Sequence, residues 1–160
     1  MNILYDERLD GALPRRDKNE VLAELTRVVP DLTLLHREED LRPFECDGLS
    51  AYRVLPMLVA LPERLDQVEA LLKQCRELGV PVVTRLPLEQ GVLLVMSRFN
   101  RIIDIDADAR IARVQPGVRN LAISEAASPY GLYYAPDPSS QIACSIGGNV
   151  AENAGGVHCL

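Results

Sequence analysis

The sequence predicts an α+β fold, and three observations predict it. A short apolar run at Met57–Leu61, a helical apolar period from Leu65 to Leu78 and the β-branched Val82-Val83-Thr84 follow one another as strand, helix and strand. Further short apolar runs, Val92–Met96, Ile102–Ile105 and Ile111–Gln115, are divided by turn residues. A last helical period follows Pro116-Gly117. With 160 residues, 48% of them apolar and 25% charged, the chain has room for one domain with a core. Without Trp and with only two Phe, that core is built from Leu, Val, Ile and Ala.

The N-terminal third reads as helical and peripheral. Asp17, with Glu20 three residues on, has the form of a capping box. Val21, Leu22, Leu25, Val28 and Val29 then recur at helical spacing until Pro30. His36 and the Arg37–Asp40 charge run predict a solvated turn, and Phe44–Tyr52, without period, a connecting loop. Leu65, Val68, Leu71, Leu72, Cys75 and Leu78 mark one helix face, with Gly79 at the C-cap position and Pro81 beyond. Strand, helix and strand predict a parallel pair with a right-handed crossover. Ile102–Ile105 and Ile111–Gln115 flank an Asp-Ala-Asp turn. Leu121, Ala122, Glu125 and Ala126 follow at steps of three and four, stopped by Pro129 and Gly131.

Charge and composition exclude several functions. The net charge is −6, and 17 Lys and Arg are scattered among 23 acids. A nucleic-acid surface needs clustered cations to displace phosphate counterions, so no nucleic-acid partner is expected. No apolar run approaches the roughly 20 residues of a membrane span, so no direct membrane insertion is expected. The first residues have no signal-peptide character, and a cytoplasmic location is expected. Cys46, Cys75, Cys144 and Cys159 form no C-x-x-C pair and are expected to be reduced. His158-Cys159 reads as packing, and no metal is expected. His36 shows no base or nucleophile role, so no catalytic residue is assigned.

The residues from Tyr133 onward change character. Four glycines, three serines and two asparagines fall within Ser139–Gly156. Such a stretch buries little apolar area, whereas glycine lets a ligand approach the main chain and successive amides form anion-binding nests. Ser139, Ser140, Ser145, Gly147, Gly148, Asn149, Asn153, Gly155 and Gly156 are therefore a candidate nucleotide cradle. The same composition also suits plain turns, and residue chemistry alone leaves both readings open.

Several motifs carry a resemblance. Pro136-Asp137-Pro138-Ser139-Ser140, Cys144-Ser145-Ile146-Gly147-Gly148-Asn149 and Glu152-Asn153-Ala154-Gly155-Gly156 resemble the PCMH-type FAD-binding domain of the vanillyl-alcohol-oxidase-type flavoproteins. Ile3-Leu4-Tyr5, the run Glu45–Tyr52 and the run Arg113–Leu121 are similar to the branch of FAD subunits of bacterial glycolate oxidases. The resemblance covers essentially the whole chain. It implies two small α/β subdomains around FAD, with residues 1–55 as a helical and loop segment and 56–160 as a partial FAD-binding domain. It implies a flavin that takes a hydride from the α-carbon of a 2-hydroxy acid such as glycolate or D-lactate, the protein positioning and tuning it. Pro138, Ser139, Cys144, Ser145, Gly147, Gly148 and Asn149, continued by Asn153, Gly155 and Gly156, are the implied FAD lining. Cys144 is equally readable as a small buried residue. Sister flavin and iron–sulfur subunits are the implied partners.

The chain departs from that family twice. A G-x-G-T-G-x-S-G-G loop, which wraps the FAD pyrophosphate in the family, is absent where Arg85 meets Leu86. The six residues Leu86–Gly91 reach at most about 20 Å, at about 3.3–3.6 Å each, so the sheet can close without the loop. The second departure is the end at Leu160: the resemblance implies that the FAD domain continues, followed by a cap domain that binds the 2-hydroxy acid. The chain alone is thus expected to be inactive. The alternatives are a non-catalytic interaction domain packing against oxidase subunits, and a related FAD enzyme acting on an aryl alcohol or a sugar nucleotide.

Overall fold

The computed structural model describes residues 15–46, 53–84 and 87–159. The Ile3–Tyr5 match, residues 47–52 of the Glu45–Tyr52 match and the Arg85–Leu86 junction lie outside the described residues. The chain divides into two compact units, Met1–Val95 and Met96–Leu160.

In the first unit, helix α1 (Lys18–Val28) begins where the sequence predicts. The Asp17 carboxylate accepts from the amides of Asn19 at 2.9 Å and Glu20 at 3.0 Å, satisfying first-turn donors that no helical carbonyl can reach. Val21, Leu25 and Val29 are buried, and Val28 faces outward. Strand β1 (Thr33–Leu35) follows. The Arg37–Asp40 charge run is not a turn: helix α2 (Glu38–Leu41) and a 3-10 turn, Arg42–Phe44, occupy it. Exposed pairs of Arg37 with Glu39 and Asp40, and of Arg42 with Glu38, lend that turn weak support. The buried Leu41 anchors it.

Strand β2 (Leu58–Leu61), helix α3 (Leu65–Leu78), strand β3 (Val82–Val83) and strand β4 (Val92–Leu94) complete the unit. At the start of α3 the buried Gln67 is satisfied on both sides. Its Oε1 accepts from the amides of Glu63 (2.8 Å) and Arg64 (3.2 Å), and its Nε2 donates to the Asp31 carbonyl (3.1 Å). Gly79, at φ +67°, ends the helix. Val68, Leu71 and Cys75 are buried while Leu65 and Leu72 are exposed, so the buried stripe is narrower than the period suggests.

The strand order is β1-β2-β4-β3, with β2 and β3 both parallel to β4 and β1 antiparallel to β2. This corrects the expected pairing: the strands flanking α3 are parallel but not neighbours, because β4 inserts between them. Val92, Leu93 and Leu94 are all buried, which demands a central position, whereas half-buried Val82 and Val83 suit an edge. Leu41, Val59 and Leu93 form a core cluster, with Leu35, Phe44, Leu55, Leu61, Val83 and Val95 packed around it. Because β1 pairs with β2 and α1 packs on α3, residues 15–46 share one compact unit with the segment that follows.

In the second unit, strands β5 (Ile102–Asp106) and β6 (Ile111–Val114) form an antiparallel hairpin. The Asp106 carboxylate closes its turn by accepting the Ala109 amide at 2.8 Å. Helix α4 (Asn120–Ala127) buries Asn120, Ile123 and Ala127, not the face marked by Leu121, Ala122, Glu125 and Ala126. The buried stripe lies one position round because its first member is polar. A 3-10 turn, Ser128–Tyr130, ends at Gly131 with φ +68°. Within the glycine-rich tract a helix also forms, α5 (Ile146–Glu152), between an N-cap at Ser145 and a left-handed Asn153 at φ +51°.

Candidate functional site

The tract is held onto the start of α4 by main-chain bonds. The N-cap residue Arg119 offers no side-chain acceptor, so the first helical amides need other partners. The amides of Asn120 and Leu121 donate to the carbonyls of Cys144 and Gln141, both at 3.0 Å. Those of Ile146 and Gly147 donate in the opposite sense to Val118 and Pro116, both at 2.8 Å. Arg119 and Ser145 form an antiparallel bridge between these pairs. Gly147 lies so close to Pro116 that a Cβ would stand 2.8 Å from the proline Cβ and 2.9 Å from its carbonyl oxygen.

Gly148, one residue on, differs. It is exposed, and a Cβ there would meet only Ser145 Oγ, at 3.3 Å. Its amide donates to that hydroxyl at 3.4 Å. Asn149 is 6% exposed, and its Nδ2 is buried without a partner. A buried donor left unpaired costs about 1–3 kcal/mol, so an open main chain at Gly148 adjoins a side chain lacking an acceptor.

The tract's far arm folds onto Ala135–Pro138. Gly156 packs against the Asp137 main chain and Oδ1, with no room for a Cβ. The Asp137 carboxylate accepts the His158 amide at 3.3 Å and pairs with His158 Nδ1 at 2.6 Å. That imidazole holds the Asp137 carboxyl below the usual carboxylate range. The Tyr133 ring stands edge-on to His158, with centroids 5.8 Å apart. His158 and Cys159 therefore have packing partners, the Cys159 sulfur accepting the Gly156 amide at 3.3 Å.

Of the candidate residues, Ser139, Ser140, Gly148, Asn153 and Gly155 are exposed, Pro138, Cys144, Ser145, Gly147 and Gly156 half-buried, and Asn149 buried. The structure supplies a packing reason for the missing side chains of Gly147 and Gly156, and none for Gly148. One residue escaped the sequence reading. Asn120 is fully buried, and its Nδ2 donates to the Pro136 carbonyl at 2.7 Å while its Oδ1 has no partner. A polar residue recurring with Ile123 and Ala127 at helical spacing was the available signal. Among the described residues, no group of three or more His, Cys, Asp or Glu is placed to hold a metal ion. Among them, too, no helix is long and apolar enough to cross a membrane.

Comparison with known proteins gives three likenesses and a family match. The sequence model of the family described as FAD binding domain matches residues 56–160. The glycolate oxidase subunit GlcD of Escherichia coli is 64% identical over 170 positions, which cover 100% of this chain and 34% of that protein. The chain thus spans about a third of the length of that relative. Among solved structures, an alkyldihydroxyacetonephosphate synthase superposes with a TM-score of 0.72 at 21% identity, over 89% of this chain and 33% of that one. A p-cresol methylhydroxylase superposes with a TM-score of 0.62 at 19% identity, over 76% and 26%. At such identities the structures speak for the fold, an α+β arrangement of the p-cresol-methylhydroxylase type.

Proposed function

Since the chain belongs to the FAD-binding-domain family, we propose that it supplies the FAD-binding part of a flavin-dependent oxidoreductase that converts a 2-hydroxy acid, of the glycolate or D-lactate type, to the 2-keto acid. The observation that carries the reading is the unpartnered, buried Nδ2 of Asn149 beside the open main chain of Gly148. A flavin nucleotide is rich in acceptors, on both its pyrophosphate and its ring carbonyls, and fits a donor left in that state. When bound, FAD supplies the redox chemistry by accepting hydride from the substrate α-carbon. The chain's own part is to bind and orient.

Ser139 and Ser145 offer hydroxyls, and Gly148 and Gly155 offer exposed main chain. Pro138, Cys144, Gly147, Asn149, Asn153 and Gly156 complete the proposed lining, Gly147 and Gly156 through main chain already fixed by packing. Residues 56–160 form the FAD-binding part in this reading, with 1–55 preceding it. Substrate recognition falls in this reading to a cap domain outside residues 56–160, with sister flavin and iron–sulfur subunits as partners and the cytoplasm as location.

The missing loop bears on affinity. The alignment with the E. coli relative has 170 positions against 160 residues here, ten more than the chain can fill, in keeping with a deletion at Arg85–Leu86. Each lost charge-assisted bond to pyrophosphate removes about 1.5–3 kcal/mol, so this chain binds FAD more weakly than a loop-bearing form. That one observation also favours a second reading, a non-catalytic domain kept for packing with oxidase subunits. Titration with FAD, followed by flavin absorbance and fluorescence quenching, tests the first. Saturable one-to-one binding without 2-hydroxy-acid turnover is expected, tightening at least about tenfold when a nine-residue loop of the family pattern is inserted after Arg85, one restored bond sufficing for that. No binding at millimolar FAD, with or without the insert, would leave the packing reading.

A further inference from the structure

We propose that Asn120 is a positioning residue for the FAD cradle, holding its two arms in register through one side-chain and one main-chain bond; the inference rests on the FAD reading above. Pro136 and Pro138 carry no amide N–H, so their segment has a single amide, that of Asp137, and must be placed largely through its acceptors. Three acceptors do this. Pro136's carbonyl takes Asn120 Nδ2 at 2.7 Å, the Asp137 carboxylate takes His158, and Pro138's carbonyl takes the Gln141 amide at 2.9 Å. Asp137–His158 lies at the surface, and Pro138–Gln141 is a local turn. Among the described residues, the Asn120 bond is the one that joins the segment to the first turn of α4, at a side chain that is itself fully buried. The same residue's main-chain amide holds the Cys144 carbonyl at 3.0 Å, one residue before the Ser145 cap of α5. Asn120 is thus a point shared by the Pro136–Ser139 arm and the Cys144–Asn149 arm, beside the main-chain bonds of Leu121, Ile146 and Gly147 that hold the second arm and the Tyr134 amide bond to Ser124 Oγ that precedes the first.

The unpartnered Oδ1 makes a selective test possible. In Asn120→Asp, no donor faces that oxygen, and full burial favours the neutral acid. A protonated carboxyl can donate to the Pro136 carbonyl as the amide does, whereas a carboxylate cannot. Raising the pH therefore breaks one bond in that variant alone. FAD dissociation constants are measured for the chain, Asn120→Asp and Asn120→Leu between pH 5 and 8, with circular dichroism establishing the folded fraction at each point. The Asp137–His158 pair is present in all three, so the readout is the ratio to the unsubstituted chain.

The expected result is a ratio near one for Asn120→Asp at pH 5, rising at least tenfold by pH 8, and a ratio of at least ten at every pH for Asn120→Leu. If Asn120→Asp unfolds at the upper end, Asn120→Leu carries no charge and still decides the point. Ratios near one for both variants while folded would overturn the positioning role and leave Asn120 a packing residue. An unsubstituted chain that takes up no FAD at any pH would overturn the FAD reading along with it.

Discussion

Gly148→Ala separates what the fold needs from what a ligand needs. Gly148 is the third residue of α5, and the methyl group would meet only Ser145 Oγ at 3.3 Å, the end of a short, half-buried side chain. Alanine gains at most about 1 kcal/mol over glycine in a helix, and less in a first turn. Disturbing the Ser145 cap, already long at 3.4 Å, costs up to about 1 kcal/mol. The two effects offset each other, and at roughly 2–4 °C per kcal/mol the melting temperature should stay within a few degrees. Binding should respond differently. If the Gly148 main chain touches a charged oxygen of FAD, a methyl group that displaces the contact removes about 1.5–3 kcal/mol, roughly a ten- to hundredfold rise in Kd. Thermal melts without FAD and fluorescence titrations with it give both numbers. An unchanged Kd in a variant that melts normally would refute the idea that this stretch of main chain faces the flavin.

The neighbouring Gly147→Ala should behave in reverse: its Cβ would overlap Pro116 at 2.8–2.9 Å, so overpacking of about 1–3 kcal/mol should lower the melting temperature even without FAD. Burial pushes the Cys75 thiol up to about 11 from 9.0. Its folded value is raised, so its contribution is complete below pH 9 and is lost as pH climbs towards 11, about 2–3 kcal/mol by then. The slope of stability between pH 8 and 11 should be shallower in Cys75→Ala, and native thiol titration should label exposed Cys159 while sparing Cys75. Asp137 has the opposite sign. Its folded value is depressed by His158, so its contribution holds above the ordinary carboxylate value of about 3.9 and fades as pH falls through the lower folded one. Urea unfolding of the chain and of Asp137→Asn should therefore differ at pH 5 and converge near pH 2; a gap constant with pH would contradict the pairing.

The parts of the fold legible in the sequence are those where a pattern repeats often enough to be seen. Helices α1 and α3, of 11 and 14 residues, show several turns each, and the signals of Asp17 and Gly79 mark their ends. Strand β1 has three residues, too few for any period. Helix α2 is hidden because its four residues are mostly acidic and only Leu41 is buried. The insertion of β4 between β2 and β3 is a fact about adjacency, which local pattern does not encode. It follows only from asking which strand is apolar on both faces. The misplaced face of α4 has one cause, the burial of a polar Asn120 at the position an apolar residue would have marked.

The site was legible as a composition and not as a geometry. Glycines at 147, 148 and 156 are one letter in the sequence, yet they meet three different surroundings. Gly147 lets α5 start against Pro116, and Gly156 lets the chain close on Asp137, so a methyl at either acts first on the fold. Gly148 has no such neighbour, and beside it Asn149 keeps a buried donor that meets no acceptor among the described residues. Packing therefore accounts for two of these glycines and leaves the third, with its asparagine, without a packing reason among the described residues. In the proposed FAD reading an acceptor-rich ligand meets that donor where a closed turn would not, which makes Gly148 and Asn149 the positions at which that reading is tested most directly.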